Sequence, residues 1–219
     1  MDIVGFGASS MQGIGDSAGG FFRRVESTLT ATSSSRRFLN MGIGGNTTRD
    51  MLARMQDVTQ CGAHNLIVML GCNDVPRDND RSPAIRTTPA EYRDNLRLLL
   101  PAIQGTRSLF ISSFPVCATR TGVHDETLAA YMQIALNMAA ENGYDTWDLY
   151  GELKGTGLSP WWAPDGLHFN NDGHAMIASG VEARILGWGI TPLPFQGEGV
   201  AIPMAGGEVM APAPWKGEE

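Results

Sequence analysis

The chain has 219 residues, 42% hydrophobic and 18% charged, which is enough for one domain with its own core and no need of disulfide staples. Its formal net charge of −7, from 16 Lys and Arg against 23 Asp and Glu, provides no basic stripe for nucleic acid or an anionic membrane. No apolar run nears the roughly 20 residues that span a bilayer.

Residues 3–6 (Ile3, Val4, Phe6) read as a first apolar strand that runs into the small-residue turn Gly7-Ala8-Ser9-Ser10. A core strand so early leaves no room for a leader peptide, and the chain is expected to be cytoplasmic. After a polar turn at 13–20, Phe21, Phe22, Val25 and Leu29 recur at helical spacing and predict an amphipathic helix. Residues 38–41 resume as a strand. The Gly-rich turn at 42–48 offers Asn46 or Thr47 as a cap for a helix with Met51, Met55 and Val58 on one face. Residues 64–70 (HNLIVML) are apolar enough for a central parallel strand covered on both faces.

GCND at 71–74 ends that strand, and a long charged loop follows through Thr88. Loops of that length inside compact domains are usually functional. Pro89 opens a helix as an N1 proline, with Tyr92, Leu96, Leu99 and Ile103 at its spacing. Residues 108–112 form a fourth predicted strand. Residues 124–142 form a helix stopped by Gly143, and residues 144–149 a fifth strand. The Trp/Pro loop LSPWWAPDGLHFN leads to a last helix carrying Ile177, Val181 and Ile185. Strands alternating with helices imply a parallel sheet with right-handed crossovers and helices on both faces. Residues 1–190 are expected to form the functional domain. Residues 191–219 hold five prolines and five glycines and read as a tail, disordered or draped on the body.

Four segments fall at strand carboxyl ends or just before the last helix, which is one edge of such a sheet: Gly7-Ala8-Ser9-Ser10, Gly42-Ile43-Gly44-Gly45-Asn46, Gly71-Cys72-Asn73-Asp74 and Asp165-Gly166-Leu167-His168. Together they supply a hydroxyl, a backbone N–H beside glycines, a side-chain amide and a carboxylate–imidazole pair, the parts needed for acyl transfer through a covalent serine intermediate. Ser9 needs a base. His168 qualifies because imidazole accepts and returns protons near neutral pH, and Asp165, three residues earlier, can orient the ring. The N–H groups of Ser9 and Gly45 and the amide of Asn73 are candidate donors to a tetrahedral oxyanion. Trp161 and Trp162 are candidates for lining a substrate pocket.

These four segments resemble, in order, blocks I, II, III and V of the SGNH hydrolase superfamily, the GDSL-type lipases and esterases. The resemblance spans about residues 3–174. It implies a flavodoxin-like three-layer α/β/α fold, which we expect as a parallel five-stranded sheet of order 2-1-3-4-5, and hydrolysis of a small-molecule carboxylic ester by Ser9, Asp165 and His168 without cofactor or metal. The first block departs from the family pattern: it reads Gly-Ala-Ser, with Ala8 where the family has aspartate. A literal Gly15-Asp16-Ser17 occurs further on, and no strand precedes it, so Ser9 is the expected nucleophile and Ser17 the rival.

Other readings are bounded by the same residues. Gly13 to Ala18 formally fits G-x-G-x-x-G/A, but it is cut off from the strand by the Ser9 turn, and no acidic residue follows strand two. That disfavours a dinucleotide-binding oxidoreductase. A non-catalytic binding module would use the same sheet without a covalent adduct. An acyltransferase or a thioesterase would share the whole catalytic core. Three cysteines (Cys61, Cys72, Cys117) are odd in number and lack metal-ligand spacing, so they read as thiols of a reducing compartment. His174 reads as a capping or packing residue. Acyl and alcohol specificity and oligomeric state are not written in the motifs.

Overall fold

The computed structural model describes residues 2–30, 37–62, 65–156 and 159–188; the expected tail at 191–219 lies outside them, as does His64. Five strands, β1 (Ile3–Gly7), β2 (Phe38–Gly42), β3 (Asn65–Met69), β4 (Arg107–Ile111) and β5 (Asp145–Trp147), form one sheet of order β2-β1-β3-β4-β5. Every neighbouring pair is parallel. This is the expected order, and it puts all five carboxyl ends on one rim.

Period-two alternation divides the strands between two cores. Ile3, Ile67, Met69, Leu109 and Ile111 face α2 (Gly20–Thr30) and α9 (Asn171–Ile185). Val4, Phe6, Leu66, Val68 and Phe110 face α3 (Thr48–Ala53), α4 (Gln56–Gln60), α5 (Pro89–Ile103) and α7 (Asp125–Glu141). β1 and β3 are buried along their whole length, whereas the edge strand β2 is half-buried. Phe21, Phe22, Val25 and Leu29 of α2 are all buried, as their spacing predicts, and each such side chain contributes about 1.5–3 kcal/mol by leaving water. α5 starts at the N1 proline, with Thr88 Oγ1 accepting from the Glu91 N–H at 3.2 Å.

The structure departs from expectation at three places, each with a local cause. Ser9 is the first residue of a short helix, α1 (Ser9–Gln12), that no periodicity announces because four residues make little more than one turn. The helix expected from residue 47 onward is split into α3 and α4. The break falls at Arg54, whose guanidinium turns inward to Asn46 Oδ1 (2.6 Å) and the Gly7 carbonyl (3.0 Å) and lies 4.4 Å from the Phe6 ring centre. The fifth strand ends at Trp147 because Asp148 caps the short helix α8 (Leu149–Leu153), accepting from the Gly151 N–H at 2.8 Å. A further short helix, α6 (Ala118–Thr121), lies in the loop after β4. Among the described residues no helix is long and apolar enough to cross a membrane.

Candidate active site

Each of the four segments lies at the carboxyl rim, and each is fixed by its own set of bonds. Ser9 opens α1 directly after β1. Met11 anchors that helix in the core, and the Gln12 and Gly13 N–H groups bond to the Ala8 and Ser9 carbonyls at 2.9 Å. No acceptor lies within reach of the Ser9 N–H among the described residues.

The turn after β2 comes close to Ser9: a Cβ built on Gly44 would sit 3.9 Å from Ser9 Cβ. Its N–H groups are used in turn. Gly42 donates to Asn40 Oδ1 (2.9 Å), Ile43 to the Gly7 carbonyl (3.1 Å), Gly44 to Gln12 Oε1 (2.7 Å) and Asn46 to the Ile43 carbonyl (3.2 Å). Gly45 alone in this turn has no acceptor among the described residues. Its φ of +81° is the reason for glycine there, because a Cβ would meet nothing within 4 Å. The glycine thus answers a backbone demand, and the space beside it stays open.

Asn73 sits in a 3-10 turn after Gly71, whose φ of +124° also favours glycine. Asn73 Nδ2 donates to the Asn46 carbonyl at 3.1 Å, which spends one of its two hydrogens. The turn is held by Asp74, fully buried, which accepts from the Thr48 N–H (3.0 Å), Thr48 Oγ1 (2.6 Å) and Thr87 Oγ1 (3.0 Å). Burial pushes the Asp74 carboxyl up to about 6, with these donors opposing the rise. Asp74 therefore ties β3's end to the start of α3 and to the charged loop at 75–88.

Asp165 and His168 occupy a small hairpin between Trp161 and Asn170, closed by Ala163 N–H to the His168 carbonyl and Asn170 N–H to the Trp161 carbonyl, both 2.8 Å. His168 Nδ1 lies 2.6 Å from Asp165 Oδ2, and Asp165 Oδ1 accepts from the Leu167 (2.8 Å) and His168 (3.0 Å) N–H groups. Partial burial raises the Asp165 carboxyl, but the backbone and imidazole donors outweigh it and hold the group below its ordinary range. Phe169, next to His168, is buried and stacked on Phe114 with ring centres 3.7 Å apart, which fixes the hairpin to the core.

Ser9, Gly45, Asn73 and His168 line one cleft of about 290 Å³, with Arg77 and Arg86 also on its walls. A narrower recess of about 30 Å³ opens beside Ser9 and Asn73, lined also by Leu70, Ser113 and Phe114. The structure thus brings Ser9, Gly45, Asn73, Asp165 and His168 to one place. Trp161 and Trp162 line neither cavity. They pack against the core, with Trp162 Nε1 donating to the Pro115 carbonyl at 3.1 Å, and so support the hairpin that carries Asp165 and His168.

The Gly13–Gly20 loop bears on two rival readings of the sequence. Asp16 is clamped by Arg24 (Nε to Oδ2 2.7 Å, Nη2 to Oδ1 2.8 Å) and also accepts from the Ala18 (3.1 Å) and Gly20 (3.0 Å) N–H groups. A carboxylate already holds the N–H groups that a dinucleotide phosphate would need. Ser17 is tied to the start of α9, with its N–H on Asn171 Oδ1 (2.9 Å) and its Oγ accepting from Asn171 Nδ2 (3.0 Å), and it does not line the cleft. His174 packs and does not cap. Asn170 Oδ1 takes the Asp172 and Gly173 N–H groups, while His174 Nδ1 accepts from the Phe21 N–H (3.2 Å) and Nε2 donates to the Ile14 carbonyl (3.0 Å). Burial lowers its pKa, which suits the neutral tautomer those two bonds require.

Chiefly through the Arg24 hydrogen bonds, the Asp16 carboxyl is held at about 2 against an ordinary 3.8. Its contribution is fully present above the ordinary carboxylate range and is lost as pH falls through about 2. Asp16→Asn therefore costs about 2 kcal/mol of unfolding free energy at pH 7. Urea midpoints of wild type and variant converge between about pH 4 and 2, and a gap that stays constant across that range contradicts the linkage.

Arg54 and Asp74 reach the site without any signal in the sequence, whereas Arg77 and Arg86 fall in the charged loop already expected to be functional. Arg54 joins β1's end to the Gly42–Asn46 turn, and its burial shows only in the break it makes between α3 and α4. Arg77 and Arg86 lie in the loop at 75–88, where alternating charge signals solvent exposure as readily as a cleft wall. Among the described residues, no group of three His, Cys, Asp or Glu side chains is placed to hold a metal ion.

A parallel α/β/α sheet carrying a serine, a histidine–aspartate pair and unspent N–H donors at its carboxyl rim defines a hydrolase site. The chain belongs to the GDSL-like lipase/acylhydrolase family, whose model matches residues 6–176. Among solved structures it is similar to a lipase/acylhydrolase from Enterococcus faecalis, with 23% identity, a TM-score of 0.75 and coverage of 89% of this chain and 99% of that one. It is also similar to LAE5, an alpha/beta hydrolase from the metagenome of Lake Arreo, Spain (24% identity, TM-score 0.66, 83% and 93% covered). A third similar structure is Axe2, an acetylxylan esterase from Geobacillus stearothermophilus (22%, 0.68, 84% and 93%). No curated protein sequence matches the chain significantly.

Proposed function

We propose that this hydrolase is a serine esterase that cleaves a short-acyl carboxylic ester through an acyl-enzyme, within a catalytic domain of residues 1–190. The observation that carries this reading is the shared cleft of Ser9, Gly45, Asn73 and His168, with Asp165 on the far side of the imidazole. Asp165 occupies Nδ1, so Nε2 is the ring nitrogen left to serve Ser9. Ser9 Oγ attacks the ester carbonyl carbon as His168 takes its proton. The carbonyl oxygen, now negative, accepts from the Ser9 and Gly45 N–H groups and from the second hydrogen of Asn73 Nδ2. His168 passes its proton to the departing alcohol, and water, activated by the same ring, releases the acid.

The recess of about 30 Å³ sets the acyl group. A void of that size admits about two water-sized groups, which supports an acetyl as the acyl group. The acetylxylan esterase activity named for Axe2 is consistent with this size.

Reaction with a fluorophosphonate followed by peptide mapping tests the assignment. A single adduct on Ser9 is expected, together with kcat/KM on p-nitrophenyl esters falling at least about tenfold from acetate to hexanoate. An adduct on Ser17 overturns the nucleophile assignment, and no adduct overturns the esterase reading in favour of a binding module.

A further inference from the structure

The charge of the cleft opposes that of the molecule. The chain as a whole carries −7, yet the wall of the 290 Å³ cleft holds Arg77 and Arg86 and no carboxylate. The two arginines differ in one respect. Arg86 is neutralised by Asp80, with Nη2 at 3.0 Å and Nε at 3.1 Å, and its Nη1 donates to the Asn73 carbonyl at 2.8 Å. Asp80 also accepts from the Arg77 backbone N–H at 2.8 Å, but the Arg77 guanidinium lies within 4.0 Å of no carboxylate among the described residues. Among the described residues its Nη2 reaches Asn73 Oδ1 alone, at 3.5 Å, the outer limit for a hydrogen bond. Its Nε is buried and has no hydrogen-bond partner among the described residues.

An arginine never loses its charge, and one that lines the cleft without a carboxylate beside its guanidinium leaves that charge to be met by a ligand in the cleft. Its fork of N–H groups matches planar or tetrahedral oxyanions. The acyl group takes the recess, which Arg77 does not line, so the remainder of the substrate, its alcohol portion, occupies the cleft where Arg77 stands. We infer that the ester cleaved here carries an anionic oxygen group, a carboxylate or a phosphate, on its alcohol portion, and that Arg77 binds that group. This rests on the esterase reading of the same cleft. It also separates Arg77 from the alternative role its position allows, which is to position Asn73: a positioning residue affects every ester alike, whereas a specificity residue changes the ratio between charged and neutral ones.

The test compares three aryl acetates on the full chain: 4-acetoxybenzoate, 4-acetoxyphenyl phosphate and the neutral methyl 4-acetoxybenzoate, each corrected for its spontaneous hydrolysis. Wild type is expected to favour one or both anionic esters in kcat/KM by at least about tenfold, and the favoured ester identifies the group. Arg77→Ala is expected to reduce that preference on the order of 10- to 100-fold, and Arg77→Lys to restore part of it. No preference in wild type, or an equal loss on all three esters in Arg77→Ala, overturns the inference. Calorimetric titration with 4-hydroxybenzoate and 4-hydroxyphenyl phosphate reads the same contact without turnover. Arg77-dependent binding in a protein that hydrolyses none of the esters keeps the anion site and overturns the esterase reading alone. Binding that Arg77→Ala leaves unchanged overturns the anion site even if turnover is normal.

Discussion

Ser9→Ala is expected to lower kcat on phenyl acetate by at least about 10⁴-fold while leaving the protein folded. The magnitude follows from the division of labour at the rim. Without the hydroxyl there is no acyl-enzyme, and His168 and Asp165 have nothing to activate, so their contribution is lost together with that of Ser9. What remains is the polarising effect of the Gly45 and Asn73 donors on a bound ester, attacked at best by a misplaced water. The fold is unaffected because α1 is held by Met11 in the core and by backbone bonds from Gln12 and Gly13, none of which involves the Ser9 hydroxyl. The thermal midpoint of the variant is therefore expected within about 2 °C of wild type. Ser17→Ala is the control: its hydroxyl binds Asn171 on the outside of the cleft, and its turnover is expected within about twofold of wild type. Activity that persists in Ser9→Ala and disappears in Ser17→Ala reverses the assignment.

The parts of this site that were legible in the sequence are those that local spacing determines. Buried strands such as Asn65–Met69 are nearly continuous apolar runs, and a parallel sheet aligns their carboxyl ends, so Ser9, Asn73 and the Asp165–His168 pair are placed together without any knowledge of packing. Asp165 lies three residues before His168, and a single turn realises that contact. The contacts that hold these parts in register join distant segments, and no spacing encodes them. Arg54 looks like a polar residue in a helix yet reaches the Gly7 carbonyl, 47 positions away. Asp74 looks like the end of a motif yet is the buried tie between Thr48 and Thr87. The charged loop at 75–88 was ambiguous because sequence proximity misleads there: Arg77 has Asp78 and Asp80 close by, Arg86 stands between Ile85 and Thr87, and yet in the fold it is Arg86 that pairs with Asp80. Gly45 shows the limit from the other side. A glycine in a turn is explained by its backbone angle alone, and only the list of spent N–H groups around it isolates its own as available.

Asn73→Ala is expected to reduce kcat on the order of 10²- to 10³-fold, with KM changing less than about threefold. That split is the informative part, because a donor aimed at charge that develops on the carbonyl oxygen acts on the transition state and little on the bound ester. Asn73 is suited to the role by how its amide is divided: one hydrogen is committed to the Asn46 carbonyl, which fixes the plane, and the other has no acceptor among the described residues. A neutral amide also stabilises an oxyanion without forming an ion pair that would retain the acid product. The substitution has a structural cost as well, since the Asn46 carbonyl loses its partner. That cost is about 1 kcal/mol and is read separately from the urea midpoint. The Arg86 bond to this residue falls on the backbone carbonyl and survives the change, while the long Arg77 Nη2 contact to Oδ1, at 3.5 Å, is lost. If Asn73 served only to brace the turn, kcat would fall no more than about threefold while stability fell by the full amount. If it served to bind the ground state, KM would rise and kcat would hold. A large loss confined to kcat is the outcome that only a transition-state donor produces.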